Sequence, residues 1–495
     1  MDLFACETGA LLACAAYLLE DDLNAVSPFI LTCIEDNLKR RILLPYLTAH
    51  FWWMGHDDEP MCNWTVWCTQ NVLLTTFLMP WSVEMSSRLS SPVRTFCGNA
   101  PLFLPENTSD TVVTLQAILH KAAESCDYFL KDYGNDGCCE EGAQYYRHAG
   151  LCLYGAMTVL NTVTDGHFDT LFRWDKVKNI ASYILNVHVN DKYYFNFADC
   201  SPIAGRAGVR EYLFGKATGQ EDLCLFAAKD FQAGQGQLVT DEVNGGNLFY
   251  RMQTVFHYEE LMQQNTSGTL SHRDVYYPSV GLFLVHSDTM DLAVKAGDNA
   301  DSHNHNDTGS ITLYKNGLPI LADIGVETYT RKTFSPRRYE IWTLQSGYHN
   351  LPTICGTDQK DGVEYRAEKV VTELTGAEPS ISMELAAAYP AAQSTVPDLT
   401  YVRRVTLKKS SNTVVLEDHT NAQDVILNFI TYEKPVILSD GKLSIGEASA
   451  SFEGADLLAI ETLPITDARL KTAWDHDLYR IRLKGNDAGF RLTIQ

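Results

Sequence analysis

The sequence has few basic residues and no long apolar run. Lys and Arg total 39 against 62 Asp and Glu, so the formal net charge is −23. A chain this acidic repels nucleic acid, and an anionic ligand would need a local basic patch. No apolar run reaches the length of a membrane-spanning helix, and the apolar N-terminal stretch lacks the basic residues of a signal peptide. We therefore expect a cytoplasmic protein without membrane or nucleic-acid partners, while a removed or missing N-terminal segment stays open.

The cysteines lack the spacing of a zinc finger or of a disulfide framework. Thirteen are scattered along the chain, and Cys138 and Cys139 are adjacent. An odd number with a vicinal pair is typical of reduced, mostly buried thiols. Low-complexity segments and short-period repeats are also missing. With 495 residues, 45% of them apolar, the chain is long enough for two or three domains with a large core.

The spacing of apolar residues changes near residue 265. Before it, apolar positions recur with a period near 3.6 residues in a serial array of helices, which favours an (α/α) toroid at residues 1–264. Residues 265–274 form a polar Ser- and Thr-rich linker. Beyond it, alternating runs separated by Gly, Asn and Asp turns predict an antiparallel β-sandwich at residues 275–495. The predicted fold class is multidomain α and β, with a toroid that need not be complete.

His303 and His305 stand two residues apart in a segment rich in His, Asp, Asn and Arg. On an extended strand their side chains would lie on the same face. Asp323 follows an apolar run and His349 follows a further strand-like run, so three connected strands would bring His305, Asp323 and His349 together. Two imidazoles and a carboxylate suit a Zn²⁺ ion. From the residues alone, a hydrogen-bonded histidine pair is the commoner role of this pattern.

The same segment resembles the heparinase II/III-like polysaccharide lyases. The motifs that carry the resemblance are SHNHND at 302–307, G-x-P-x-x-x-D-x-G at 317–325, Tyr329, F-S-x-x-R-Y at 334–339 and S-x-x-H-N-x-P at 346–352. The resemblance implies one structural divalent ion, with Zn²⁺ as the expected metal, held by His305, Asp323 and His349. We expect His303 to act as a general base; the alternative is that Tyr145 serves as both acid and base, because a syn elimination lets one phenol perform both steps.

Two motifs in the helical half extend the resemblance. Asn63 stands in an NW pair at a helix start, where the family has an Asn that hydrogen-bonds the uronate carboxylate. Residues 136–145 match the family's D-G-x-x-x-E-G-x-x-Y run, which implies Tyr145 as the catalytic acid. From the residues alone, Asn63 would be an N-cap and Tyr145 a packed tyrosine with a solvated hydroxyl. Trp64 follows Asn63 where many members have His, which indicates a different subsite.

Substrate contacts are expected from aromatic and basic residues near these motifs. Aromatic rings stack on the apolar faces of sugars, and guanidinium groups bind carboxylates. Arg338 belongs to the densest basic cluster, which also contains Arg331, Lys332 and Arg337. The predicted substrate-binding residues are Trp64, Tyr146, His148, Tyr194 and Arg338.

These features together predict a polysaccharide lyase. It would cleave a uronic-acid-containing glycan, glycosaminoglycan-like or alginate-like, by β-elimination. One alternative is a toroid-type glycoside hydrolase with a carboxylate pair such as Asp136 and Glu141. Another is a non-catalytic glycan-binding protein. The expected partner is an anionic polysaccharide or oligosaccharide, and a homodimer is compatible with the sequence.

Overall fold

The structure is a computed structural model that describes residues 1–56, 59–81, 115–238, 247–486 and 489–495. The chain divides into two compact units. The first comprises Met1–Gly134, Tyr145–Ala181 and Arg206–Gly268, and the second comprises Asn135–Gln144, Ser182–Gly205 and Thr269–Gln495. Two short segments of the helical half therefore belong to the strand-rich unit, whereas the sequence predicted a single change at the linker.

The N-terminal half is helical, as its 3.6-residue period predicts. Its described α-helices are α1 (Leu3–Leu18), α2 (Glu20–Val26), α3 (Phe29–Leu38), α4 (Leu44–Thr48), α5 (Asn63–Leu78), α6 (Leu115–Asp132), α7 (Ala143–Tyr146), α8 (Gly150–Val163), α9 (Asp175–Val187), α10 (Val209–Thr218), α11 (Glu221–Ala233) and α12 (Leu248–Gln263). Side chains cap two of them: Asp2 accepts from the Ala5 amide of α1 at 2.9 Å, and Asn247 accepts from the Phe249 amide of α12 at 3.1 Å. Such caps satisfy amides that the helix itself leaves unpaired.

Helix α5 is the buried helix of the first unit. Nearly every residue from Asn63 to Thr76 is buried, and α5 packs against α1, α6 and α8. A helix that is buried on every side belongs to the interior of a protein. Because α5 is surrounded in this way, its first turn holds Asn63 in a fixed position.

None of the described helices is by itself long and apolar enough to cross a membrane. The pair α1 and α2 meets the length and composition limits together, with a bend of 85° between the two helices.

The described part of the second unit contains two large antiparallel sheets and two short strand pairs. The eight-stranded sheet has the order β11 (Glu368–Glu373), β12 (Ser380–Glu384), β13 (Tyr401–Lys408), β14 (Thr413–Thr420), β21 (Gly489–Ile494), β18 (Ala448–Glu453), β17 (Lys442–Ile445) and β16 (Val436–Ser439). The other sheet has the order β19 (Ala455–Leu463), β20 (Leu478–Gly485), β15 (Val425–Thr431), β8 (Leu318–Leu321), β7 (Ile311–Lys315), β5 (Met290–Lys295), β4 (Leu282–His286) and β3 (Val275–Tyr277), with β9 (Pro352–Ile354) also pairing with β15. Short pairs are formed by β1 (His188–Asn190) with β2 (Tyr193–Tyr194) and by β6 (Asp298–Asn299) with β10 (Gly362–Arg366).

A single apolar core joins the two sheets. Alternate residues of β5, β13, β14, β15 and β20 are buried in one cluster, as the period-2 pattern predicts. Helix array followed by antiparallel sandwich is the predicted fold class, and it is confirmed. Arg403 crosses this core with its side chain fully buried, and it binds both carboxylate oxygens of Asp418 at 2.9 and 2.8 Å.

The same arginine fixes the segment that carries His349. Arg403 Nη1 donates to the carbonyl of Asn350 at 2.8 Å and to that of Gly309 at 2.9 Å. The Asn350 side chain in turn donates to the carbonyl of Ile311 and accepts from the amide of Ile430 at 2.7 Å. Hydrogen bonds to buried charged groups are among the stronger ones in proteins, so the loop after residue 346 is held firmly against the sheets.

The histidine segment is a loop, so the predicted strand for His303 and His305 is wrong. Residues 300–310 contain no strand, and His303 has φ +57°, a left-handed conformation that non-glycine residues rarely adopt. The strand assignment relied on period-2 spacing, which a three-residue motif is too short to establish. Asp323 lies just after β8, and His349 follows a short 3₁₀ turn at Ser346–Tyr348. The three residues of the predicted metal site, His305, Asp323 and His349, therefore lie in loops near the ends of strands.

Three other histidines stack in the second unit. The ring of His272 lies between those of His188 and His286, with centroid distances of 5.8 and 5.2 Å. His286 Nδ1 lies 2.8 Å from a carboxylate oxygen of Asp291, and His188 Nε2 lies 3.1 Å from the carbonyl of Asp191. Burial lowers the pKa of His272 to about 4, and the neighbouring histidines lower it as well. The stack therefore favours a neutral His272.

This stack predicts a loss of stability in acid. Since the folded pKa of His272 lies below its ordinary value of 6.5, the unfolded chain takes up the proton first. The contribution of neutral His272 to the free energy of unfolding is fully present above pH 6.5, and it falls by a few kcal/mol as the pH drops towards 4. We expect a falling Tm over this range by calorimetry, and a shallower fall for His272→Gln. His167→Gln, at an exposed position, is the matched control; equal slopes for all three proteins would contradict the assignment.

Candidate active site

His305, Asp323 and His349 converge, as the sequence predicts. One ligand atom from each lies within 4.8 Å of the others, and all three residues are buried. His349 Nδ1 lies 3.1 Å from Asp323 Oδ2. Burial alone would raise the pKa of Asp323, but the positive charge of His349 lowers it below its ordinary value. Among the described residues this is the cluster of three His, Cys, Asp or Glu side chains with the geometry of a metal site.

The donor atoms of this cluster fit a divalent ion. His305 Nδ1 and His349 Nε2 are buried and have no hydrogen-bond partner among the described residues. A buried polar nitrogen without a partner is costly unless something binds it. Two imidazole nitrogens and a carboxylate oxygen are a ligand set that Zn²⁺ accepts. The residues present therefore suit a metal of this kind.

Asp199, which none of the sequence motifs indicates, connects this cluster to His303. Its carboxylate is fully buried and accepts four hydrogen bonds. One oxygen accepts from His305 Nε2 at 3.1 Å and Arg338 Nη2 at 2.6 Å, and the other from His303 Nδ1 at 2.8 Å and the Tyr329 hydroxyl at 3.0 Å. Burial would raise the pKa of Asp199, but the hydrogen bonds from both histidines and the charge of Arg338 hold it well below its usual range. Asp199 is therefore a buried carboxylate ion.

His303 is held at both ring nitrogens. Its Nδ1 is bonded to Asp199, and its Nε2 lies 3.5 Å from an oxygen of the buried Glu141. The ring also stacks on Tyr329, with centroids 6.1 Å apart. Burial alone would lower the pKa of His303, but the hydrogen bond to Asp199 and the charge of Glu141 raise it above its ordinary value. An imidazole oriented by a carboxylate is a common arrangement for proton transfer.

A cavity of about 450 Å³ opens beside this histidine. It lies within the second unit and is lined by His303, Asn304, Phe334, Arg338, Tyr339 and Asp361, among others. Phe334 is 68% exposed, so its ring face is available for a sugar. The cavity thus combines an imidazole, an aromatic face and polar side chains.

The basic cluster around Arg338 is mostly paired with acidic groups. Arg338 is bonded to Asp199 and donates to the carbonyls of Asn304 at 3.1 Å and Thr333 at 3.2 Å. Arg337 and Lys332 both bind Glu340, at 2.7 and 3.1 Å. The cluster was expected to attract an anionic glycan, but three of its four cations, Lys332, Arg337 and Arg338, are paired with the carboxylates of Glu340 and Asp199. Arg338 therefore orients the Asp199 network and has few donors left for substrate.

In the first unit, Asn63 is the first residue of α5. The N-cap residue is Cys62, so Asn63 does not have the capping role that its residue type suggested. Asn63 is 6% exposed, and the ring of Trp64 lies 5.2 Å from that of Trp52, which is 62% exposed. Trp64, which directly follows Asn63, is thus one ring of an aromatic pair with Trp52.

Tyr145 and Tyr146 differ in exposure. Tyr145 is half-buried, with its ring centroid 6.2 Å from that of His148. Tyr146 is fully buried and its hydroxyl donates to the carbonyl of Ala181 at 3.2 Å. Of these two adjacent tyrosines, Tyr145 is therefore the one with exposed surface.

Three predicted substrate contacts do not suit their positions. Tyr146 and Tyr194 have no exposed surface, and His148 is 1% exposed beneath the ring of Trp67 at 4.0 Å. A ring that is packed on all sides cannot stack on a sugar, so we withdraw Tyr146, His148 and Tyr194 as direct contacts. The sequence placed them near the motifs but carried no signal for burial.

The hydrolase alternative is also weakened by the hydrogen bonds of Asp136. Its two carboxylate oxygens accept from the amide and hydroxyl of Ser279, both at 2.8 Å, and from the amide of Cys138 at 3.1 Å. A carboxylate occupied in this way stabilises a loop and is a poor partner for Glu141 in a catalytic pair.

Comparisons with known proteins support the same fold. The model of the Heparinase II/III-like C-terminal family matches residues 269–426, which confirms the resemblance found in the motifs. No protein among the curated sequences matches the chain. Similar solved structures include a methylated-lysine form of the heparinase III BT4657 gene product, with 13% identity, TM-score 0.57 and coverage of 99% of this chain and 66% of that one.

Two further lyase structures are similar. A mutant of the heparan sulfate lyase HepC from Pedobacter heparinus has 11% identity and TM-score 0.55, with coverage of 90% of this chain and 61% of that one. The Streptomyces coelicolor A3 chondroitin AC lyase in complex with chondroitin sulphate has 10% identity and TM-score 0.53, with coverage of 100% and 74%. The chain thus spans less than two thirds of the length of the heparinase III and HepC structures. These structures establish the fold that the chain shares.

Proposed function

We propose that the protein is a polysaccharide lyase that cleaves a uronic-acid-containing glycosaminoglycan by β-elimination. The observation that carries this proposal is the buried Asp199 carboxylate, which orients His303 beside the cavity of the second unit. The similar structures named for heparan sulfate and chondroitin favour a glycosaminoglycan over the alginate-like alternative.

Elimination across C4 and C5 of a uronate has three requirements, and each has a candidate residue. His303 is the base that removes the C5 proton, and the electron pair left on C5 forms the C4–C5 double bond. The bond from C4 to O4 then breaks, and Tyr145 donates the proton that O4 receives. Asn63 hydrogen-bonds the carboxylate on which negative charge builds, a role worth a few kcal/mol in comparable sites. No water is consumed in these steps.

The metal-type cluster has a structural role in this proposal. His305, Asp323 and His349 would hold Zn²⁺, which would supply a rigid link between the loops that carry them. Asp199 bonds to both His305 and His303. Fixing His305 therefore fixes the carboxylate that orients the catalytic imidazole, as the partners of metal ligands commonly do.

Removal of the metal is expected to lower the stability of the fold, since the metal takes no part in the catalytic steps of this proposal. A strong chelator should lower Tm by several degrees, because metal bound only to the folded chain adds to the free energy of unfolding. His305→Ala lacks a ligand, so its Tm should not respond to the chelator. Metal analysis of the purified protein should find about one divalent ion per chain. No bound ion, together with an unchanged Tm, would contradict the metal site.

The glycan can be identified by a panel of heparan sulfate, chondroitin sulfate, hyaluronan, alginate and pectin. Each elimination creates an unsaturated uronate that absorbs in the ultraviolet, so continuous absorbance reports turnover. We expect a signal with heparan sulfate or chondroitin sulfate. A signal with alginate or pectin alone would keep the lyase mechanism but contradict the substrate class. No signal together with tight glycan binding would favour the non-catalytic alternative.

A further inference from the structure

Strand β16 is an edge of the eight-stranded sheet, and among the described residues its neighbour is β17 alone. Its three consecutive apolar side chains, Val436, Ile437 and Leu438, are 58, 59 and 60% exposed. Successive side chains of a strand point to opposite faces, so apolar surface is exposed on both faces of this strand. An exposed apolar edge strand is a template on which another strand can pair.

The core face of the sheet continues onto this edge. Ile437 pairs with Leu443 of β17, and directly opposite residues share a face. Leu443 is 2% exposed and belongs to the apolar core, whereas Ile437 on the same face is exposed. Ile437 thus lies on the face of the sheet that forms the core, but none of the described residues covers it.

The sequence of the edge is complementary to itself in the antiparallel direction. Residues 434–440 read KPVILSD. If two copies of this strand pair in antiparallel fashion about Ile437, Val436 of one copy lies opposite Leu438 of the other, and Lys434 lies opposite Asp440. The twofold axis makes each of these pairs occur twice. Lys434 and Asp440 are both exposed. Apolar and opposite-charge cross-strand pairs each favour strand pairing.

We infer that β16 is a self-association surface on which a second copy of this chain pairs through its own β16. The two eight-stranded sheets become one continuous sheet across a twofold axis, and the interface is isologous. The charge pattern selects a second copy over an unrelated strand, because each lysine meets an aspartate only in this register. Opposite charges at matched positions set the register of pairing strands.

The strand pair is short, so the association is concentration-dependent. Four paired residues and their flanks bury less than the roughly 1,600 Å² of a standard interface. In sedimentation equilibrium we expect a mass near the 55.4 kDa of the monomer at about 1 μM and a rise towards twice that mass at about 100 μM. A single mass of one chain across this range would overturn the inference.

Charge reversal tests the register. In Lys434→Asp, the new aspartate of each copy faces Asp440 of the other copy, so both symmetry-related pairs become repulsive. This should weaken association at least about 10-fold. The double variant Lys434→Asp with Asp440→Lys restores both ion pairs with reversed polarity, so it should recover the wild-type association. Failure of the double variant to recover, with the single variant weakened, would overturn the proposed register.

Ile437→Lys tests the apolar centre of the strand. Two lysines would face each other at the twofold axis, so we expect a monomer at all concentrations. Val402→Lys, at a 38% exposed position on the interior strand β13, is the matched control and should associate as the wild type does. Circular dichroism and Tm show whether each variant is folded. Association that survives in folded Ile437→Lys would overturn the role of β16.

Discussion

Replacing Tyr145 with Phe is expected to lower turnover by about 10²–10⁴-fold while leaving folding and glycan affinity intact. The substitution removes one hydroxyl and keeps the ring. If Tyr145 delivers the proton to O4, the bond from C4 cannot break at its normal rate without that hydroxyl. Turnover from ultraviolet absorbance and affinity from calorimetry, both on the substrate found with the panel, would measure the two effects separately.

Tyr146→Phe is the matched control for this prediction. It removes the same group one residue away, where the hydroxyl is bonded to the carbonyl of Ala181 inside the protein. We expect a loss of about 1 kcal/mol in stability and near-normal turnover. Full activity in Tyr145→Phe, with activity lost in Glu141→Gln, would contradict the elimination mechanism and support the hydrolase.

Asp199→Asn is expected to reduce turnover by about 10²-fold or more, through His303. The carboxylate accepts hydrogen bonds from two histidines, one arginine and one tyrosine. An amide of the same shape has one oxygen and two N–H donors, so it cannot accept all four. His303 would lose its orientation, and Arg338, 13% exposed, would lose its charged partner. Breaking a buried ion pair costs about 3–5 kcal/mol, so Tm should fall as well.

The two effects of Asp199→Asn can be separated. Asp456→Asn makes the same chemical change at an exposed position on β19 and should alter neither activity nor Tm. Arg338→Lys keeps a positive charge beside Asp199 but loses the additional hydrogen bonds to Asn304 and Thr333. If His303 orientation is what matters, Arg338→Lys should retain more activity than Asp199→Asn at a similar Tm. Equal activity in the two variants would contradict that role for Asp199.

The sequence predicted the fold class and the convergence of the metal-type residues. Apolar periods of 3.6 residues and of 2 separate helices from strands over long segments, so the change near residue 265 was visible. His305, Asp323 and His349 were grouped from the strand-like runs that precede Asp323 and His349, and the resemblance of their motifs supported that grouping. The three residues converge because each lies near the end of a strand of the second unit. The grouping was therefore correct although His303 and His305 lie in a loop and not, as predicted, on a strand.

Asp199 shows what the sequence did not predict. It lies 104 residues before His303 along the chain, in a segment otherwise rich in aromatic residues. An acidic residue just after a run of buried aromatic side chains is the signal that could have identified it, since a buried carboxylate requires partners. The burial of Tyr146, His148 and Tyr194 was likewise hidden, because adjacent residues of a helix or loop have different environments that residue type does not reveal.

The mass of the product released by the wild-type enzyme tests the account most directly. Elimination adds no water, so the fragment on the reducing side of the cleaved bond carries a C4–C5 double bond at its new non-reducing end and is lighter by one water than the hydrolysis product. Incubation in ¹⁸O-labelled water followed by mass spectrometry distinguishes the two reactions. We predict unsaturated uronate fragments that contain no ¹⁸O from bond cleavage. Saturated fragments that carry ¹⁸O at the new reducing end would contradict the lyase mechanism.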